Sequence, residues 1–170
     1  MKVYRLSKPR IKLVEVEIAT HCHATEDLEK VKHAILNLLP EDLRKRIDIK
    51  YQELRGYYGN PIIRLSITIR GREALDVAKY VLSRLPPQDR RYLIYSIDQR
   101  YDRHSNKLYI RLSKQDSYLG TPTLYDGSDV IRVVFSFSIT RSEDEVKRII
   151  ESLVEEIESA STESRSTNTS

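Results

Sequence analysis

The chain has 170 residues, with 29 Lys and Arg against 25 Asp and Glu and a formal net charge of +4. Ile, Leu, Val and Phe fill 48 of its positions, too many for a disordered chain and enough for one sizeable core. It has a single Cys, no apolar run of membrane-spanning length and no apolar leader at its start. The expected protein is therefore cytoplasmic, with neither a disulfide nor a membrane span.

Charge is spread unevenly. From Arg44 to Lys114 there are 17 basic residues against 7 acidic ones, a balance of +10; from Arg141 onward there are 4 against 8, or −4. A basic centre with an acidic final helix suits a nucleic-acid binder that turns one face away from its ligand. Ion-pair networks on a heat-adapted surface would give a similar composition.

Residues 1–9 read as a loose arm carrying Lys2, Arg5 and Lys8. Over residues 11–18, Val14, Val16 and Ile18 alternate with Glu15 and Glu17, the pattern of a strand with one wet face. His21-Cys22-His23 then marks a corner between strand and helix. The other histidines are His33 and His104 and there is no second Cys, so the ligand set of a zinc site is missing and no metal is expected. Thr25 is the expected N-cap of a helix with Leu28, Val31, Ile35 and Leu38 on one stripe, ended by Pro40.

Ile47, Ile49 and Tyr51 precede, and Ile63, Leu65, Ile67 and Ile69 follow, the stretch Arg55-Gly56-Tyr57-Tyr58-Gly59-Asn60-Pro61. Gly56, Gly59 and Pro61 suit a tight reversal, giving a hairpin with two tyrosines and an amide at its tip and arginines at both bases. Rings beside guanidinium groups stack on bases and neutralise phosphates, which makes Tyr57, Tyr58, Asn60 and Arg64 candidate RNA contacts. The alternative is that the rings merely cover the end of the core.

A second helix follows Gly71, with Leu75, Ala78, Leu82 and Leu85 inward and Pro86-Pro87 as its stop. Residues 88–100 fit a helix through Leu93 and Ile97; Tyr92 and Ile94 would also permit a strand, and the helix is the preferred reading. Leu108, Ile110 and Leu112 form a strand leading into the segment Lys114 to Gly120. There Arg111 and Lys114 are candidates for phosphate and Gln115 for a base edge or ribose, with Leu119 packing inward. Ile131, Val133, Phe135, Phe137 and Ile139 make the cleanest strand in the sequence. Ser142 with Glu145 forms a capping box for a last helix whose Val146, Ile149, Leu153 and Ile157 face the core. Residues 159–170, rich in Ser and Thr, read as a disordered tail.

The pattern is that of an α+β protein, a two-layer α/β sandwich with a mainly antiparallel sheet, formed by a single domain over residues 1–158. Helices cover one sheet face. The other, bearing Glu15, Glu17, Arg64, Arg111 and Arg132, faces solvent, ligand or a second subunit. Asp98 and Asp102 stand four apart on a charged helix end, which is a solvated arrangement, and the chain has no phosphate-cradling glycine loop or nucleophile motif. No catalytic residue and no cofactor are expected.

His23-Ala24-Thr25-Glu26-Asp27, Tyr58-Gly59-Asn60-Pro61-Ile62 and Arg111-Leu112-Ser113-Lys114-Gln115 through Gly120 occur in that order. Together they resemble an archaeal family of RNA-binding proteins described as predicted exosome subunits, related in fold to ribosomal protein L5. The likeness spans roughly residues 12–158. It implies an L5-like sandwich and RNA binding, with exosome or ribosomal components as partners, and allows a homodimer. Its motif positions His23, Thr25, Gly59, Pro61 and Gly120 are assigned to the fold. The leading expectation is a non-catalytic RNA-binding protein; the alternative is a dimeric structural or adaptor protein that binds a protein partner.

Overall fold

The computed structural model describes residues 12–138 and 142–167. The strands are β1 (Leu13–His23), β2 (Lys50–Arg55), β3 (Pro61–Arg70), β4 (Tyr101–Asp102), β5 (Lys107–Ser113) and β6 (Val130–Phe137). The helices are α1 (Leu28–Leu36), α2 (Glu41–Arg44), α3 (Arg72–Arg84), α4 (Pro87–Tyr95), α5 (Ile97–Arg100), α6 (Lys114–Tyr118) and α7 (Glu143–Ser166). The expected arm at residues 1–9, and Ile139, lie outside the described residues.

The strands form one six-stranded sheet in the order β2-β3-β1-β6-β5-β4, antiparallel throughout, so the α+β class is as expected. β1 is flanked on both sides. Val16 sits between Ile69 and Phe135, and Ile18 between Ile67 and Val133. Side chains alternate across a strand, so these residues share one face with Leu65, Leu108, Ile110 and Ile131 and are buried there. α1 and α3 pack on β1, α5 and α6 on β5, and α7 lies against α3, α4 and α5. Residues 88–100 are helical: Pro87 occupies the first turn of α4, and Leu93 and Ile97 are buried on either side of Ser96.

Several local expectations are corrected. β1 does not stop near Ile18 but runs on through His23, because its last third is still paired with β3, up to His23 opposite Ile62. The N-cap of α1 is Asp27, not Thr25: its Oδ1 accepts from the N–H groups of Glu29 and Lys30 at 2.9 and 3.4 Å, while Thr25 lies exposed in the turn. Leu119 is 62% exposed. Tyr118 is the half-buried residue there, its ring edge-on to His33 at 5.5 Å. Gly120, at φ +83, follows the end of α6 in the left-handed conformation that favours glycine. Ser142 stands at the N-cap of α7, but its hydroxyl makes no capping bond; the acidic first turn suits the helix dipole instead.

The stretch from Ser159, expected to be disordered, is helical through Ser166. Extending an existing helix avoids the cost of nucleation. The hydroxyls of Ser161 and Thr162 also donate to the carbonyls of Ile157 and Glu158, each at 3.0 Å. This last part of the helix is exposed all round.

Lys114 is the largest departure. It is buried, and its Nζ donates to the His21 carbonyl at 2.7 Å, to Glu26 at 3.1 Å and to Asp129 at 2.9 Å. One ammonium thus ties the start of α6 to the end of β1, the turn before α1 and the loop before β6. Removing one partner of a buried ion pair is costly, so Lys114→Ala should destabilise the fold by about 3 kcal/mol. An unchanged urea midpoint would show that the contact is not a latch. Truncation after Glu158, by contrast, should shift stability by no more than about 0.5 kcal/mol in the same measurement.

Candidate nucleic-acid interface

Strand register sets the rows of the open sheet face. One row runs Lys50, Ser66, Ala19, Arg132, Arg111 across β2, β3, β1, β6 and β5. The next row toward the hairpin holds Gln52, Arg64 and His21, and the one beyond it Leu54, Ile62 and His23. On the other side of the first row lie Thr68, Glu17, Val134 and Tyr109.

The charges divide into two zones. Glu17 takes Arg64 at 3.3 Å and Glu15 takes Arg70 at 2.9 Å. Arg111 and Arg132 face each other in register and both are exposed. Neither has an ion pair among the described residues. Arg132 lies over the Tyr109 ring at 5.8 Å, and Arg111 donates to the Gly127 carbonyl at 2.6 Å. Like charges directly opposite each other cost stability, so this row holds an unneutralised positive density. In the neighbouring row, partial burial first, then Arg64, His23, Lys114 and Arg132, hold the His21 imidazole below the ordinary histidine pKa.

The positive segment of the sequence is not carried to the surface intact. Of its 17 basic residues, Arg46, Arg64, Arg70, Lys79, Arg90, Arg103 and Lys114 are in ion pairs. Three of those pairs go to α7, through Glu156, Glu158 and Glu143. The acidic helix therefore offsets part of the positive charge on the helical side, while Lys50, Arg111 and Arg132 on the open face have no ion pair among the described residues.

The hairpin between β2 and β3 closes with the Gly56 N–H donating to the Asn60 carbonyl at 2.8 Å and the Gly59 N–H to the Gly56 carbonyl at 2.9 Å. Gly59 has φ +78, a conformation that a side chain would strain. Tyr57 and Tyr58 are 97% and 87% exposed, with their rings edge-to-face at 5.1 Å. They cover no core. The tip continues the row that ends in His23 and Ile62, so Tyr57, Tyr58 and Asn60 adjoin the face that carries Arg64 and Arg111.

Two sequence candidates lie elsewhere. Lys114 is enclosed by Glu26 and Asp129, and Gln115 lines a separate groove between α1 and α6 with Lys30 and Tyr118. The face also includes two residues the sequence did not single out as contacts, His21 and Lys50. The signal for His21 is alternation continued from Glu15 and Glu17. Cys22 points the other way, into the core, where burial raises its thiol pKa, so it does not join the two histidines. Among the described residues, no three His, Cys, Asp or Glu side chains are grouped to hold a metal ion, and no helix is long and apolar enough to cross a membrane.

A family model described as RNA binding matches residues 15–137. An uncharacterized protein of Methanocaldococcus jannaschii is 34% identical over 142 residues, which cover 81% of this chain and 95% of that one. An RNA-binding protein of Pyrococcus abyssi is 37% identical over 123 residues, covering 69% of this chain and 77% of that one. The crystal structure of a protein from Archaeoglobus fulgidus matches with a TM-score of 0.70 at 28% identity, over 84% of this chain and 99% of that one. A Methanothermobacter thermautotrophicus structure shares the fold, with a TM-score of 0.65 at 23% identity over 85% and 97% of the two chains. The matched span runs from β1 to β6 and contains both the open face and the hairpin tip, and on these grounds the chain belongs to the archaeal RNA-binding family.

Proposed function

We propose that the protein binds RNA without catalysing its cleavage, laying the phosphate backbone along the open sheet face beside the tyrosine hairpin. The observation that carries this reading is the facing pair Arg111 and Arg132, two cations in register with no acid paired to either among the described residues. A phosphate between them would replace a repulsion with two charge-assisted hydrogen bonds. Counterion release would then supply much of the affinity. The family resemblance makes RNA processing the proposed setting, with exosome or ribosomal components as partners, to be tested by co-purification with nuclease-treated extract as the control.

A second reading, the dimeric adaptor, draws on β2. This edge strand is exposed along nearly its whole length, so a second copy could extend the sheet there. Lys50, Glu53 and Arg55 on that edge oppose pairing, which places this reading second. Sedimentation of the RNA-free protein separates the two: a stable dimer with no RNA affinity favours the adaptor.

The double variant Arg111→Gln/Arg132→Gln should weaken binding to all RNAs by a similar factor and reduce the log–log salt slope by about 2. Its thermal stability should not fall. An unchanged slope in the folded variant would move the phosphate track off this face.

His21 should titrate below 6.5 in the free protein, as followed by NMR, and its pKa should rise when RNA brings phosphates near it. Because the folded pKa is depressed, the unfolded chain takes up the proton first. The His21 contribution to stability is therefore full above pH 6.5 and is lost as pH falls through the folded value. Because bound RNA raises that pKa and so takes up a proton, RNA binding should strengthen on acidification, and less so in His21→Gln.

A further inference from the structure

The hairpin tip stands beside the turn between β1 and α1, and a cleft of about 220 Å3 is lined by Tyr57, Tyr58, His23, Thr25, Asn60 and Ile62, among others. Aromatic and aliphatic groups therefore supply its surfaces, with an amide and a hydroxyl among the lining. The side chains of Asn60 and Thr25 and the ring of His23 have no hydrogen-bond partner among the described residues. The tyrosine rings are almost wholly exposed and meet each other edge-to-face. Such a cleft offers flat faces to a planar heterocycle and unused donors and acceptors to its edge. Arg55, opposite Pro61 in the hairpin register, and Arg64, one row inward, stand beside it as cations.

We infer that this cleft receives a single unpaired nucleobase, so that the protein selects RNA that is single-stranded or looped at this point over continuous duplex. The inference rests on the RNA-binding reading above and adds a substrate class to it. A duplex keeps its bases stacked inside and offers no free base face to the tyrosine rings, only phosphates, 2′-hydroxyls and groove edges. An unpaired base can leave the backbone track on the face, stack on Tyr57 or Tyr58 and meet Asn60 or Thr25 along its edge. The hairpin is suited to this because its backbone closure is made by main-chain hydrogen bonds, which leaves the tip side chains available to a ligand.

The test measures fluorescence anisotropy with a labelled 12-nucleotide unpaired RNA and with the same strand annealed to its complement. The wild-type protein should bind the unpaired probe at least about tenfold more tightly, the lower range of what one stacked base contributes. Tyr57→Ala/Tyr58→Ala should abolish that preference and leave duplex affinity unchanged. Tyr57→Phe/Tyr58→Phe, which keeps the rings, should retain it, and Asn60→Ala should reduce it in part. If wild type binds both probes alike, or the double alanine variant keeps the preference while circular dichroism shows it folded, the cleft is not a base site, and the phosphate reading still stands. If neither probe binds even at low salt, the RNA-binding reading fails and takes this inference with it.

Discussion

One constraint organises the molecule: β1 is paired on both sides and covered by helices on only one face. Side chains on a strand alternate strictly, so a slip of one residue would bring Glu15, Glu17 and His21 into the core and put Val16 and Ile18 into water. The pairings to β3 and β6 fix that register over most of the strand. Lys114 holds its far end by binding the His21 carbonyl together with Glu26 and Asp129. The open face, the hairpin position and the turn beneath it all follow from this placement.

Burial decides what each cation can do. Lys114 is enclosed, and its charge is matched by two carboxylates that hold three segments together. Arg111 and Arg132 lie on an exposed surface facing each other, and among the described residues their charge is met by a carbonyl and a tyrosine ring. The same side-chain charge is a structural tie in the first case and an open invitation to an anion in the second. Both kinds of cation bear on His21: burial first, then Arg64, His23, Lys114 and Arg132, hold its imidazole below the ordinary histidine pKa.

The last helix has a related effect. Its Glu143, Glu156 and Glu158 meet Arg103, Lys79 and Arg90 on the helical side. Surface ion pairs of this kind add little stability individually. Their consequence is electrostatic: they offset part of the positive charge where the helices are. The open sheet face keeps the facing pair Arg111 and Arg132, and the tyrosine hairpin stands at its edge beside the turn before α1.

Sequence alone determined the elements whose signal is local. Alternation in Ile63, Leu65, Ile67 and Ile69 and in Ile131, Val133 and Phe135 marked β3 and β6, the glycines and proline of residues 56–61 marked the hairpin, and Pro40 and Pro86-Pro87 marked helix ends. It also identified Arg64, Arg111 and Arg132 as occupants of the uncovered face, because charge alternates there with apolar residues. What it did not determine was the fate of each charge. Lys114 and Arg111 are three residues apart and both basic; Arg111 takes an open-face position of β5, whereas Lys114 begins α6, where Glu26 and Asp129 arrive from distant parts of the chain and make it a buried tie. The extent of β1 through His23, the facing of Arg111 and Arg132, and the cleft under Tyr57 and Tyr58 likewise depend on which strands pair and in what register. Those are long-range contacts, and local residue patterns carry no information about them.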